Sequence, residues 1–136
     1  MFVTILKTAD SLSQEAEQLL KAAGLTGAQY NVLRILRGAE PEGLLCRGIG
    51  EEMISRDPDM TRLLDRMEKR EWITRARQKE DRRVVKTRIT AEGLALLKKL
   101  DRPVGELHKG QFRHMSAARL KALKELLEEL AMRKPV

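Results

Sequence analysis

The sequence predicts a mainly α-helical chain interrupted once by a small β-hairpin. Three observations predict it. Apolar residues recur at helical spacing over most of the 136 residues. After Glu71 that spacing gives way to two runs rich in aromatic and β-branched residues, Trp72-Ile73-Thr74 and Val84 to Ile89, with a charged turn between them. Side chains able to cap a free helix end stand just before the apolar runs, at Thr26, Asp57, Thr90 and Ser116.

Taken in order, Ile5, Leu12 and Leu19 recur every seven positions from Phe2 to Ala23, as do Ala9, Ala16 and Ala23. They form an apolar stripe with a row of small residues that permits close helix approach. Gly24 ends this helix. Thr26 and Gln29 have capping-box spacing and start a second helix with Tyr30, Leu33 and Leu36 on one side, ending near Gly38. A turn-rich loop with Pro41 and Gly43 leads to a short helix holding Ile49 and Met53. Asp57-Pro58 reads as the next helix start, with Asp as cap and Pro at the first helical position. Met60, Leu63, Leu64 and Met67 then define its buried face. Past the hairpin, Thr90 opens a helix carrying Leu94, Leu97 and Leu100, which Pro103 should kink or break. Ser116 opens the last, with Leu120, Leu123, Leu127 and Leu130. A short helix and a second helix followed by a hairpin make a winged helix-turn-helix, here flanked by terminal helices. The expected division is one domain over 1–136, with dimerisation helices at 1–24 and 94–136 around a winged helix-turn-helix at 26–93.

Charge points to the partner. The chain carries 27 Lys and Arg against 20 Asp and Glu, a net +7. Between Trp72 and Thr90, seven basic residues face two acidic ones, so this hairpin holds most of the excess. Concentrated positive charge suits a polyanion. By contrast Arg56 to Glu71 has five basic and five acidic residues and is neutral. The single cysteine, Cys46, excludes an internal disulfide and a cysteine-based zinc cluster. The apolar run Met1 to Leu6 is too short for a signal-peptide core, and no segment approaches the ~20 apolar residues of a membrane span, so a cytoplasmic protein is expected. No Ser-His-Asp arrangement, glycine-rich phosphate loop or pair of catalytic carboxylates is legible, which argues against an enzyme and against a cofactor. His108 and His114, six apart near Glu106, have poor metal-ligand spacing and read as ordinary surface or interface residues.

Four segments carry a family resemblance. Leu25-Thr26-Gly27-Ala28-Gln29-Tyr30-Asn31-Val32-Leu33 resembles the second helix of the MarR family of bacterial regulators, and Pro58 to Glu68 resembles its recognition helix. Glu80-Asp81-Arg82-Arg83-Val84 and Ile89-Thr90-Ala91-Glu92-Gly93 resemble its wing tip and the start of its next helix. The resemblance spans nearly the whole chain in the right order. It implies an α-rich dimer built on terminal helices, the regulation of genes, and for many members a small-molecule effector. Two positions depart from it. Glu71 stands where the family usually has Gly after the recognition helix, so either the turn differs or the helix runs longer. Cys46-Arg47-Gly48 replaces the Thr or Ser that usually starts the short helix.

The candidate interface follows. Opposite the Met60/Leu63/Leu64/Met67 stripe lie Thr61, Arg62, Asp65, Arg66 and Lys69. Arg can bond both acceptors of a guanine edge, and Thr can meet a thymine methyl or a phosphate. The neutral helix would read bases while the basic wing supplies phosphate contacts. In the wing, Asp81 and Arg83 lie two apart and would share a side if the chain is extended there, letting Asp81 orient the Arg83 guanidinium toward a minor groove. The resemblance supports that role for Arg83, with Arg82 as a phosphate contact. The bland reading of both sets is a solvated charged face. Cys46 beside Arg47 at a helix start has the setting of a redox-sensitive thiol, against an inert, half-buried one. Trp72, Met60 and Met67 read as core, and Tyr30 as core or the lining of an effector cavity. The expected partners are double-stranded DNA with a pseudo-palindromic operator, a second copy of the chain, and a small-molecule effector. A winged-helix module for protein or RNA contacts is the alternative, and it would need an exposed apolar patch on the recognition face.

Overall fold

The computed structural model describes all 136 residues. Nine elements follow one another: α1 (Phe2–Ala22), α2 (Gly27–Gly38), β1 (Leu44–Leu45), α3 (Cys46–Glu52), α4 (Met60–Lys69), β2 (Ile73–Arg77), β3 (Val85–Ile89), α5 (Ala91–Phe112) and α6 (Ala117–Ala131). The hairpin is part of an antiparallel three-stranded sheet in the order β1-β3-β2. Strand β1 was not expected. Two residues have no periodicity to read, and β1 exists because Leu44 and Leu45 find Thr87 and Lys86 across the sheet.

Local capping sets several boundaries. Thr26 and Gln29 form the full capping box, and Thr90 and Ser116 each accept the backbone N–H three residues on, from Gly93 and Arg119. The start of α4 differs from expectation. Asp59, not Asp57, is the cap and accepts the Arg62 N–H at 3.0 Å. The Asp57 carboxylate instead accepts the Asp59 N–H at 2.8 Å, which leaves Pro58 in the preceding turn. Two acids competed for the role, and the nearer one closes the helix. Helix α3 stops at Glu52, and its N-cap Leu45 offers no side-chain bond. Pro103 does not break α5. It stands on the exposed face, while Leu97, Leu100 and Val104 hold the opposite face in the core.

One core joins Leu20 and Leu25, the inner face of α2 (Val32, Leu33, Leu36), Ile49, the α4 stripe (Leu63, Leu64, Met67), Trp72, Ile73, Ile89 and the α5 row. Met60 packs half-buried at its edge. Arg37 of α2 and Asp101 of α5 add a two-pronged ion pair at 3.0 Å in each arm. Helix α6 buries no residue against the rest of its own chain. No helix is long and apolar enough to cross a membrane.

The turns that end α1 and α4 are the same motif with different residues. After α1, the N–H of Leu25 reaches Leu20 O and that of Gly24 reaches Lys21 O, with Gly24 at φ +85°. After α4, the N–H of Trp72 reaches Met67 O and that of Glu71 reaches Glu68 O, with Glu71 at φ +63°. This is the Schellman pairing, and Trp72 and Met67 supply its usual apolar contact. The turn is therefore kept without the glycine, at the cost of a left-handed non-glycine residue. Gly93 poses the opposite constraint: a Cβ there would lie 2.5 Å from Trp72 O and 2.7 Å from Ile89 Cγ1. Urea unfolding should separate the two. Glu71→Gly should raise stability by up to about 1 kcal/mol, since relief of left-handed strain exceeds the added chain entropy. Gly93→Ala should lower it, although Ala is the better helix former by about 1 kcal/mol. A destabilised Glu71→Gly would mean that the glutamate side chain itself holds the turn.

Candidate nucleic-acid interface

Helix α4 has two chemically distinct sides. Leu63, Leu64 and Met67 are buried, and Thr61, Arg62, Asp65, Arg66 and Lys69 are exposed, as the spacing predicts. With the cap at Asp59, Thr61 and Arg62 stand in the first turn, nearer the helix end than an Asp57 cap would put them. The side chains of Thr61, Arg62, Arg66 and Lys69 make no hydrogen bond or ion pair within the chain, although acidic neighbours stand at helical spacing. Such a row can give all its donors to a ligand.

Asp65 differs from the other four. Its carboxylate accepts a hydrogen bond from Arg75 Nη2 on β2, and the same nitrogen donates to Glu68 Oε1 at 2.8 Å. The Arg75 side-chain hydrogen bond also holds the Glu68 carboxyl below the usual carboxylate range. The end of α4 is tied on its other side. Arg70 lies 4.1 Å over the Trp72 ring and donates to Gly24 O, at the end of α1, at 2.8 Å. On α2, Asn31 Oδ1 accepts the Ile54 N–H at 2.8 Å and fixes the α3–α4 connection. Arg70, Arg75 and Asn31 carry no local signature in the sequence. Each acts through a partner distant along the chain or on another element.

The wing tip is a turn, as the sequence implies, so the extended geometry on which the expected Asp81–Arg83 pairing depends is not what brings the two residues together. Val84 N–H bonds Asp81 O at 3.0 Å, and Gln78 N–H bonds Val84 O at 2.9 Å. The Asp81–Arg83 pairing forms nonetheless. Asp81 Oδ1 accepts the Arg83 backbone N–H at 3.0 Å and Nε at 3.1 Å, and Oδ2 accepts Nη2 at 3.2 Å. Arg77 Nη1 donates to Arg82 O at 2.6 Å and braces the same turn, a role absent from the sequence reading. The side chains of Arg82 and Arg83 both point into solvent at the tip.

The remaining candidates stand on other elements. Cys46 is the first residue of α3 and exposed, and Arg47 is paired with Glu51 at 3.2 Å. His108 Nδ1 lies 2.9 Å from Gln111 Oε1, and no cluster of three or more metal-ligating side chains forms. Tyr30 is half-buried at the core edge, with the Arg34 guanidinium 5.9 Å from its ring centre.

The wing geometry makes one titration prediction. The Arg83 side chain, then its backbone N–H, hold the Asp81 carboxyl below its ordinary range. The pairing should thus persist at neutral pH and dissolve only as pH falls through that lowered value. Carboxyl NMR should find Asp81 titrating low in the native protein and nearer the ordinary value in Arg83→Ala. An unshifted Asp81 in the native protein would remove its orienting role.

The sequence model of the MarR family matches residues 25–85, from the start of α2 to the return strand of the wing. The chain is 37% identical to the MarR transcription factor of Planctomyces limnophilus, whose crystal structure superposes with a TM-score of 0.73 over 93% of this chain and 92% of that one. It is 26% identical over 129 residues to the HTH-type transcriptional regulator FarR of Neisseria gonorrhoeae, covering 95% of this chain and 87% of FarR. The fold also matches the crystal structure of the S. aureus MepR–DNA complex, with a TM-score of 0.86 at 20% identity over 96% of each chain. A 37% identity sustained over both chains is a family relationship, and the winged helix-turn-helix carries it: the chain belongs to the MarR family of transcriptional regulators.

Proposed function

We propose that this protein is a sequence-specific double-stranded DNA-binding regulator, a repressor that acts as a homodimer on a pseudo-palindromic operator in the cytoplasm and is released by a small-molecule or redox signal. One observation carries the reading. The unpaired row Thr61, Arg62, Arg66 and Lys69 stands on the exposed face of a helix locked by its other face into the core, beside a basic hairpin tip. The MepR relative with this fold is seen with DNA. In the proposed division of labour the α4 row enters the major groove, Arg82 touches phosphate, and Arg83, oriented by Asp81, reaches the neighbouring minor groove. The exposed α4 face is polar and charged, which disfavours a protein-docking module.

The dimer reading rests on unburied apolar surface. Phe2, Val3 and Leu6 of α1 and Leu123, Leu126, Leu127 and Leu130 of α6 are exposed. Phe112, Leu120, Leu123, Leu127 and Ala131 line an open groove of about 490 Å³. A 15-residue helix that buries nothing in its own chain needs a partner to stay helical. A two-fold arrangement would give each protomer half of the operator, with half-site centres ~10 bp or a multiple apart. Within this division 1–24 and 94–136 serve the dimer and 26–93 reads DNA.

Binding to the chain's own promoter is the primary test, and Arg62 makes it residue-specific. Arg62→Ala should cost ~1–3 kcal/mol on the operator and much less on random DNA. Arg62→Lys should keep the non-specific term and lose most of the discrimination, because the planar fork is what suits guanine. Full operator preference in Arg62→Lys would reassign Arg62 to a phosphate. In the wing, Arg82→Ala and Arg83→Ala should weaken binding to every duplex and flatten its salt dependence by about one counterion each. Unchanged slopes in both would place the hairpin away from DNA.

A further inference from the structure

Asp65 stands among the exposed residues of the recognition helix, yet a carboxylate there faces a strongly negative duplex. Its surroundings explain its presence. Arg75, two residues into β2 from Ile73, is largely covered, its side chain 23% exposed against 51% for Asp65 and 41% for Glu68. One nitrogen, Nη2, donates to both carboxylates. The Arg75 backbone N–H donates in addition to Glu68 Oε2 at 3.1 Å. Strand β2 lies at the edge of the sheet, so that N–H points away from β3 and would otherwise face water. Glu68 therefore grips both the side chain and the main chain of Arg75, while Asp65 takes the remaining reach of the guanidinium one turn earlier on the helix.

We propose that Arg75 is the positioning residue of the reading head: it fixes α4 against the wing strand and takes Asp65 out of base reading, leaving Asp65 and Glu68 as its anchors. The inference rests on the DNA-binding reading above and deepens it. Helix and wing are joined in sequence only by the turn at Arg70 to Trp72, whose central residue, Glu71, is held in the left-handed region. A turn fixes where the strand leaves the helix end. The roll of the helix about its axis is set by contacts along its length, and Arg75 supplies polar ones at two successive turns. The apolar face of α4 resists roll as well, but methyl and thioether surfaces are not directional, whereas three hydrogen bonds to one residue are. Arg75 also cancels carboxylate charge that would repel a phosphate backbone.

The test is a double-mutant cycle on operator and random DNA with the full-length dimer. Arg75→Gln should lower the operator-over-random ratio about ten-fold, within the range expected of coupled neighbours. Asp65→Asn should lower it less, since Glu68 still holds the guanidinium. The double variant Arg75→Gln/Asp65→Asn should be no worse than Arg75→Gln alone. Operator selection from a randomised pool should return the same preferred base at every position for Asp65→Asn as for the native protein. Losses that multiply in the double variant, or a changed preferred base in Asp65→Asn, would make Asp65 an independent reader and overturn the proposal. Should Arg75→Gln not fold, Glu68→Gln replaces it, because its side chain is exposed enough to change safely. With Glu68→Gln the cycle reads in the opposite sense: Asp65 is then the remaining side-chain anchor of the guanidinium, so adding Asp65→Asn should cost more than the product of the two single losses, and losses that simply multiply would overturn the proposal. A native protein that shows no operator preference removes the DNA-binding reading first and this proposal with it, an outcome distinct from a preference that survives with multiplicative losses.

Discussion

The reading head is organised around Trp72. Its N–H closes the last turn of α4 by bonding Met67 O, and its carbonyl accepts the Thr90 N–H at 3.0 Å. Its ring is buried in the core with the Arg70 guanidinium laid over it. Thr90 completes the knot, donating its hydroxyl to Glu71 O at 2.6 Å and accepting the Gly93 N–H at the start of α5. One residue thus connects the recognition helix, both strands of the wing and the first turn of α5. An indole can do this because it brings a large apolar area to the core while its backbone remains free for two directional bonds.

That arrangement explains two local choices that each look unfavourable. Glu71 is held left-handed because Trp72 must drop beside Met67, and the two Schellman bonds offset the strain. Gly93 stands inside a helix, where glycine is a poor former, because α5 has to pass over the Trp72 carbonyl and Ile89 with no room for a Cβ. Both belong to the same contact seen from its two sides. Arg70 carries it further, since its bond to Gly24 O links the end of the recognition helix to the end of α1.

The surface is divided in the same economical way. The acidic residues near the α4 and wing interface are mostly engaged: Asp65 and Glu68 by Arg75, Asp59 by the Arg62 N–H, Asp81 by Arg83. Arg62, Arg66, Lys69 and Arg82 are left with free side chains. Within a stretch that is neutral by count from Arg56 to Glu71, the basic side chains on the exposed α4 face are thus the unpaired ones, while Asp65 and Glu68 are engaged by Arg75. The counts alone could not show this.

What the sequence by itself determined was whatever depends on residues within about one helical turn of each other. The apolar stripes on α2, α4 and α5, the caps at Thr26, Thr90 and Ser116, the basic hairpin and the exposed α4 row are all local patterns, as is the resemblance of four short segments to the family. Tertiary structure decided the rest. Strand β1 needed Thr87 and Lys86 across the sheet. The choice of Asp59 over Asp57 turned on which carboxylate could reach the Arg62 N–H, and Pro103 stayed inside α5 because the opposite face is held in the core. Arg75 is one more basic residue of the wing when read along the chain, yet its guanidinium is shared by two carboxylates of the recognition helix. For β1, Pro103 and Arg75 the physical reason is shared, since each depends on where packing places separate elements, and that placement is a property of the whole core; the Asp59 cap is instead a local competition between two neighbouring carboxylates.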